Sequence, residues 1–154
     1  MLRRIFNPWS GQGSALRRAD AVSWAKPVRW HAKARQTRTR RNVLCNTSCD
    51  WLAPDVHVDW LCDLLELVLT TPRLEWHLTT DHPDLWVERM QQVAQRTGKG
   101  AALADAWLRG DAPINVCVGI REQARGQTPM LLRIPAAVHF LLLDDLSVQP
   151  LETA

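Results

Sequence analysis

No run of about 18 apolar residues occurs in the sequence, so a helix spanning a membrane is excluded. The opening stretch, Met1 to Gly11 (MLRRIFNPWSG), begins basic but has no apolar core, so a secretory leader is not expected. There is no P-loop, no G-x-G-x-x-G and no G-x-S-x-G, which removes the usual phosphate cradles and the hydrolase nucleophile elbow. A C-x2-C pair is absent too. Cys45, Cys49, Cys62 and Cys117 lie within apolar runs, and the Cys45–Cys49 spacing does not complete a zinc or iron-sulfur set. They read as reduced core thiols in a cytoplasmic protein, with no metal and no cofactor expected. Acidic residues are nearly missing up to Asn42, where Asp20 stands alone against eleven Lys or Arg.

What is present describes a folded chain. With 46% hydrophobic residues and eight tryptophans, the sequence carries far more to bury than a disordered chain does. Its 154 residues suit one core. The charge divides the chain into a basic, Trp-containing segment, 1–41, and a body, 42–154, in which acidic residues outnumber basic ones.

In the first segment, Gly11, Gly13 and Ser14 mark a loop, and Pro27 interrupts the pattern from Asp20 to Trp30. Short helical pieces packed through Trp24 and Trp30 are expected there, followed by a solvated basic stretch from His31 to Arg41. The body then alternates. Strands are expected at Asn42–Asn46, Leu74–Thr80, Asn115–Ile120 and His139–Leu143, each a short apolar run. Helices are expected from Pro54 to Leu69, from Asp84 to Arg96, from Ala101 to Arg109, and in a broken form around Gly126 and Pro129. The tail from Ser147 reads as irregular. This rhythm argues for a parallel sheet whose strand ends share one edge, the edge where such folds build their sites.

That edge receives Asn46 to Asp50, Thr79 to Asp84, Gly119 to Glu122, and Asp144 with Asp145. Asp50, Asp81, Asp84, Glu122, Asp144 and Asp145 form an acidic rim that could hold a divalent cation, although aspartates also cap helices at such loops. Of the five histidines, His82 alone sits at a strand end. The cations Arg29, Lys33, Arg35, Arg38, Arg40 and Arg41, interleaved upstream with Trp9, Trp24 and Trp30, fit phosphate contacts with stacking rings. They fit equally a segment docked on the protein's own acidic rim.

Four blocks in succession resemble a phage and prophage family of radical-SAM-like, three-Cys-motif proteins. Arg40 to Leu52 (RRNVLCNTSCDWL) is similar to its R-V-F-V-N-S-M-S-D-L-F block, and Leu74 to Trp86 (LEWHLTTDHPDLW) to its L-D-W-L-L-L-T-K-R-P-E block. Ile114 to Ile120 (INVCVGI) is similar to N-V-W-L-G-V-S, and Arg133 to Leu146 (RIPAAVHFLLLDDL) to P-A-A-V-R-F-L-S-x-E-P-L. Asn7, Pro8, Trp9 and Gly11 resemble the family's opening W-N-P-x-x-G-C, but Gln12 stands where its first cysteine is expected, and no further cysteine precedes Trp24. Asp81 and His82 replace the lysine and arginine of T-K-R-P, and Asp144 the glutamate of E-P-L. The resemblance implies the scaffold of a shortened barrel without the three thiolates that radical-SAM chemistry requires.

The fold expected is α/β, about four parallel strands with connecting helices, as a partial TIM-barrel-like domain behind a basic N-terminal segment. The function expected is that of a phage or prophage accessory protein, a pseudoenzyme that binds nucleic acid or a host nucleic-acid-associated protein, as in counter-defence. No membrane partner is expected, and a homodimer would cover the open sheet edges of a half barrel. The alternative is a metal- or S-adenosylmethionine-dependent enzyme acting on nucleic acid or nucleotides, with Asn46, Asp50, Thr80, Asp81, His82 and Asp144 at its site.

Overall fold

A computed structural model of the chain describes residues 4–45 and 47–151. The main sheet contains β1 (Arg4–Phe6), β4 (Arg41–Cys45), β5 (Leu74–Thr80), β6 (Val116–Arg121), β7 (Val138–Leu142) and β8 (Val148–Leu151), side by side in that order. The first five run parallel, and β8 joins β7 antiparallel. A two-stranded ribbon, β2 (Trp9–Ser10) with β3 (Arg17–Arg18), follows β1. Five helices complete the described chain: α1 (Ala21–Thr37), α2 (Val58–Thr70), α3 (Trp86–Ala94), α4 (Lys99–Leu108) and α5 (Thr128–Leu131).

The sheet has six strands where the sequence suggested about four. Arg4–Phe6 is three residues long with one buried side chain, and Val148–Leu151 contains Pro150 and has no fully buried residue. Neither segment is long or regular enough to show a period of two. Pairing to β4 and to β7 makes them strands, so the described part of the tail, as far as Leu151, is a strand and not irregular. The sheet is open, with β1 and β8 at its edges, and no barrel is closed.

The first segment also differs from expectation. Instead of short pieces and a solvated stretch, α1 runs unbroken through Pro27 as far as Thr37. Proline inside a helix forfeits one backbone bond and costs about 3 kcal/mol. Here Pro27 is buried on a stripe with Trp24, His31 and Ala34 that faces the core, and that burial offsets the loss. Asp20 starts the helix by accepting from the Ser23 amide at 2.8 Å. Arg38, at φ 53°, ends it with its amide on the carbonyls of Ala34 and Arg35.

Strands β1, β4, β5, β6 and β7 advance across the sheet in one direction, and right-handed crossovers then place every connecting helix on the same side. The packing agrees. Leu61, Leu64, Leu65 and Val68 of α2 recur at helical spacing and are fully buried, each contributing about 1.5–3 kcal/mol. They share one core with Met90, Val93 and Trp107 of α3 and α4 and with Val43, Trp76, Leu78, Val118 and Ile120 of the strands. Helices α2 and α4 touch backbone to backbone at Gly100, where a Cβ would lie 2.3 Å from the Cys62 carbonyl oxygen.

The opposite face of the sheet carries a smaller cluster, Leu44, Cys117, Phe140 and Leu142, joined by Leu146 and Val148. Phe140 lies flat over Gly119, whose missing side chain makes the room: a Cβ there would be 2.2 Å from the ring. None of the described helices is long and apolar enough to cross a membrane.

Candidate functional site

The parallel strands deliver their C-terminal ends to one edge, and a cavity of about 540 Å³ opens there, within the usual range for small-ligand sites. The ribbon after β1, the loops after β4 and β5 and the end of β6 all contribute walls, through Gln12, Asp50, His82 and Arg121 among others.

Asp50 organises the site. Its side chain is 11% exposed, and its two oxygens accept from three donors. Oδ1 takes the Leu52 amide at 2.8 Å, while Oδ2 takes the Asp81 amide and the His82 ring, both at 2.8 Å. The Trp9 indole donates to the Asp50 carbonyl at 3.0 Å, tying the ribbon to the same loop. An ionised carboxylate can only accept, so His82 Nδ1 carries the proton of that bond, and in the neutral imidazole Nε2 is then the nitrogen with the free lone pair. Held in this tautomer with its ring 46% exposed, His82 is an aspartate-oriented imidazole able to accept a proton from a bound molecule.

Thr80, buried at the end of β5, completes the turn: its hydroxyl accepts from the His82 amide at 2.8 Å. Asp81 faces the other way, 3.4 Å from Arg121 Nη1 in an ion pair and 3.4 Å from the donating Gln123 amide. Arg121 also donates through Nη2 to the Cys49 carbonyl. Behind the wall residues Thr47 and Ser48, Asn7 Oδ1 accepts from the Ser48 amide at 3.2 Å, and its Nδ2 donates to the Thr47 hydroxyl at 3.1 Å.

Four residues singled out from sequence, Asp50, Thr80, Asp81 and His82, are therefore brought together. Asp144 is not among them. It is exposed in the tight turn from β7 to β8, because the chain there reverses into an antiparallel strand instead of opening onto the cavity. Asn46 lies outside the described residues. Of the two neighbouring cysteines, Cys45 is fully buried and its thiol is pushed up by that burial and by Cys49, whereas Cys49 is half-buried in the cavity wall.

The loop bearing Asp50 is braced from below. Trp51 stacks on Trp107 at 5.7 Å, and Trp107 meets the edge of Trp86. Arg89, buried in α3, donates to the Val56 carbonyl and to Gln92 Oε1 at 2.8 Å.

The basic residues gather elsewhere. Arg29, Lys33 and Arg35 are exposed on α1, Arg38 and Arg40 are exposed after it, and Arg41 starts β4, so the group spreads toward the N-terminal edge of the sheet. Arg41 is one cause, after burial, of the lowered pKa of Arg4. The His31 pKa is held down by burial and then by Arg35 and Arg73. The tryptophans nearby are occupied in packing: Trp9 is 1% exposed, and Trp24 has Phe6 at its edge and the Arg18 guanidinium over its face at 4.0 Å.

Sequence reasoning placed Arg121 on this edge, within Gly119 to Glu122, without singling it out, and gave no site role to Asn7 or Gln123. Arg121 closes a strand whose other residues are apolar, and its position at the strand end was the available signal. Asn7 and Gln123 act through loop geometry that no spacing encodes.

No curated protein and no solved structure matches this chain. A family model does, over residues 4–153, and the chain accordingly belongs to the family described as "Protein of unknown function (DUF5131)".

Proposed function

We propose that this chain is a cluster-free relative of the radical-SAM-like phage family, an open and one-sided version of its barrel, which acts by binding nucleic acid. The observation that carries the binding reading is the cationic group on α1 and at the start of β4. Among the described residues, Arg29, Lys33, Arg35, Arg38, Arg40 and Arg41 form no ion pair within 4.0 Å, while the carboxylates pair with Arg18, Arg96, Arg109 and Arg121. Six cations without a carboxylate partner, five of them exposed and Arg41 half-buried, are a footprint for phosphates. Because Trp9 is buried and Trp24 is covered, the contact expected is with the backbone of a duplex, without base stacking.

The scaffold half of the proposal draws support from strand order and from Gln12. Strands that advance in one direction with all helices on one side are how a barrel begins. Gln12, where the family's first cluster cysteine is expected, lines the strand-end cavity. An open iron for S-adenosylmethionine needs three thiolates, and no cysteine occurs between Gly11 and Trp24.

Duplex binding measured across a salt series tests the proposal. Each phosphate contact contributes about −0.9 to the log–log slope, so five or six contacts give about −5. Changing Arg35, Arg38, Arg40 and Arg41 to Ala should lower affinity and flatten the slope by about 3 to 4. Unchanged affinity and slope would remove the cationic group from consideration.

The Asp50–His82 pair favours a second reading: acid–base chemistry on a small molecule held in the cavity, with S-adenosylmethionine as the family-implied ligand. Calorimetric titration with S-adenosylmethionine checks it. Saturable binding that Asp50→Ala abolishes supports this reading, and absence of binding discards that ligand.

A further inference from the structure

Away from the cavity, the face of the sheet opposite the helices holds a second group of chemistry-bearing side chains. Glu75 and His77 alternate onto that face from β5, and Cys117 comes beside them from β6, where it is the register partner of His77. One ligand atom from each lies within 4.8 Å of the others. Cys117 Sγ is 3.4 Å from Glu75 Oε1, and His77 Nε2 is 3.8 Å from the same oxygen.

We propose that Glu75, His77 and Cys117 bind a borderline-soft divalent cation, zinc above all, on the face of the sheet opposite the helices. The distances support this directly. Bond lengths of about 2.3 Å to sulfur and about 2.0–2.2 Å to nitrogen or oxygen give tetrahedral edges of about 3.4–3.6 Å. The two edges to Glu75 Oε1 are within a few tenths of an ångström of these, and the third, between His77 and Cys117, is no longer than 4.8 Å, so a side-chain adjustment of about 1 Å or less closes the three donors on one ion. The donor set has the right character, since thiolate with imidazole selects zinc over calcium or magnesium.

The surroundings fit as well. Leu44, Phe140 and Leu142 make this face apolar, and the His77 ring packs edge-on against Phe140 at 5.1 Å, which fixes its orientation. The charged groups bearing on Cys117 are Glu75 and Arg40, and burial together with Glu75 pushes the thiol up to about 12. A dication at the centre would displace that proton and balance the carboxylate and thiolate charges. Glu75 is 36% exposed and His77 12%, so the group is reached from solvent through Glu75.

Cobalt(II), a spectroscopic stand-in for zinc, tests the site in the full chain after chelator treatment. One equivalent should produce a thiolate-to-cobalt charge-transfer band, displaced by zinc. Cys117→Ser should abolish the band, whereas Cys49→Ser and Cys62→Ser should keep it. Glu75→Gln, isosteric and partly exposed, tests the site without threatening the fold and should weaken cobalt affinity at least about tenfold. His77→Leu should do the same. No band in the unmodified chain overturns the proposal, as does a band that survives Cys117→Ser or an affinity that Glu75→Gln and His77→Leu leave unchanged.

Discussion

At Asp50, one carboxylate accepts from the amides of Leu52 and Asp81 and from the His82 ring, so its removal orphans two backbone donors in a partly buried loop. Asp50→Ala should therefore cost about 1–3 kcal/mol in urea unfolding. His82 gives the opposite expectation. Its ring is nearly half exposed, and His82→Ala should stay within about 0.5 kcal/mol. A conserved fold with an altered ligand response in His82→Ala would mark the imidazole as there for chemistry. Asp50, Asp81 and His82 were legible in the sequence because polar residues that end an apolar run have to stand at a strand terminus. Asp144 met the same criterion and failed it in space, because its strand is followed by an antiparallel return that no single residue announces.

At the scale of elements, β5 is found at Leu74–Thr80, as expected from the sequence, and α2 to α4 start or end within a few residues of expectation. Their patterns were strong because one side faces a deep core. The first segment was harder to read. Pro27 signals a break, and only the buried stripe it shares with Trp24 and Ala34 shows why the helix persists. Asn115 was equally hidden, read as an ordinary strand residue. Its side-chain amide in fact reaches the carbonyls of Val68, Thr71 and Leu74 at 3.1–3.3 Å, clamping the end of α2 to the start of β5. Asn115→Ala leaves buried carbonyls without that donor, and should cost about 1–3 kcal/mol, read as a lower urea midpoint with an unchanged slope.

For the whole molecule, the alternation of strands and helices made the parallel sheet legible, whereas the edges did not show because β1 and β8 depend on partners for their identity. The segregation of charge along the strands has a consequence for how the protein would sit on a polyanion. Arg38, Arg40, Arg41 and Arg73 lie where strands begin, and Asp50, Asp81 and Asp84 where they end, which makes the molecule electrically polar along its strand axis. Docked through its cations, it would stand upright with the His82 mouth pointing away from the phosphates and into solution. Whatever enters the cavity would then arrive from the bulk, and occupancy of the two ends would be independent apart from the field they share.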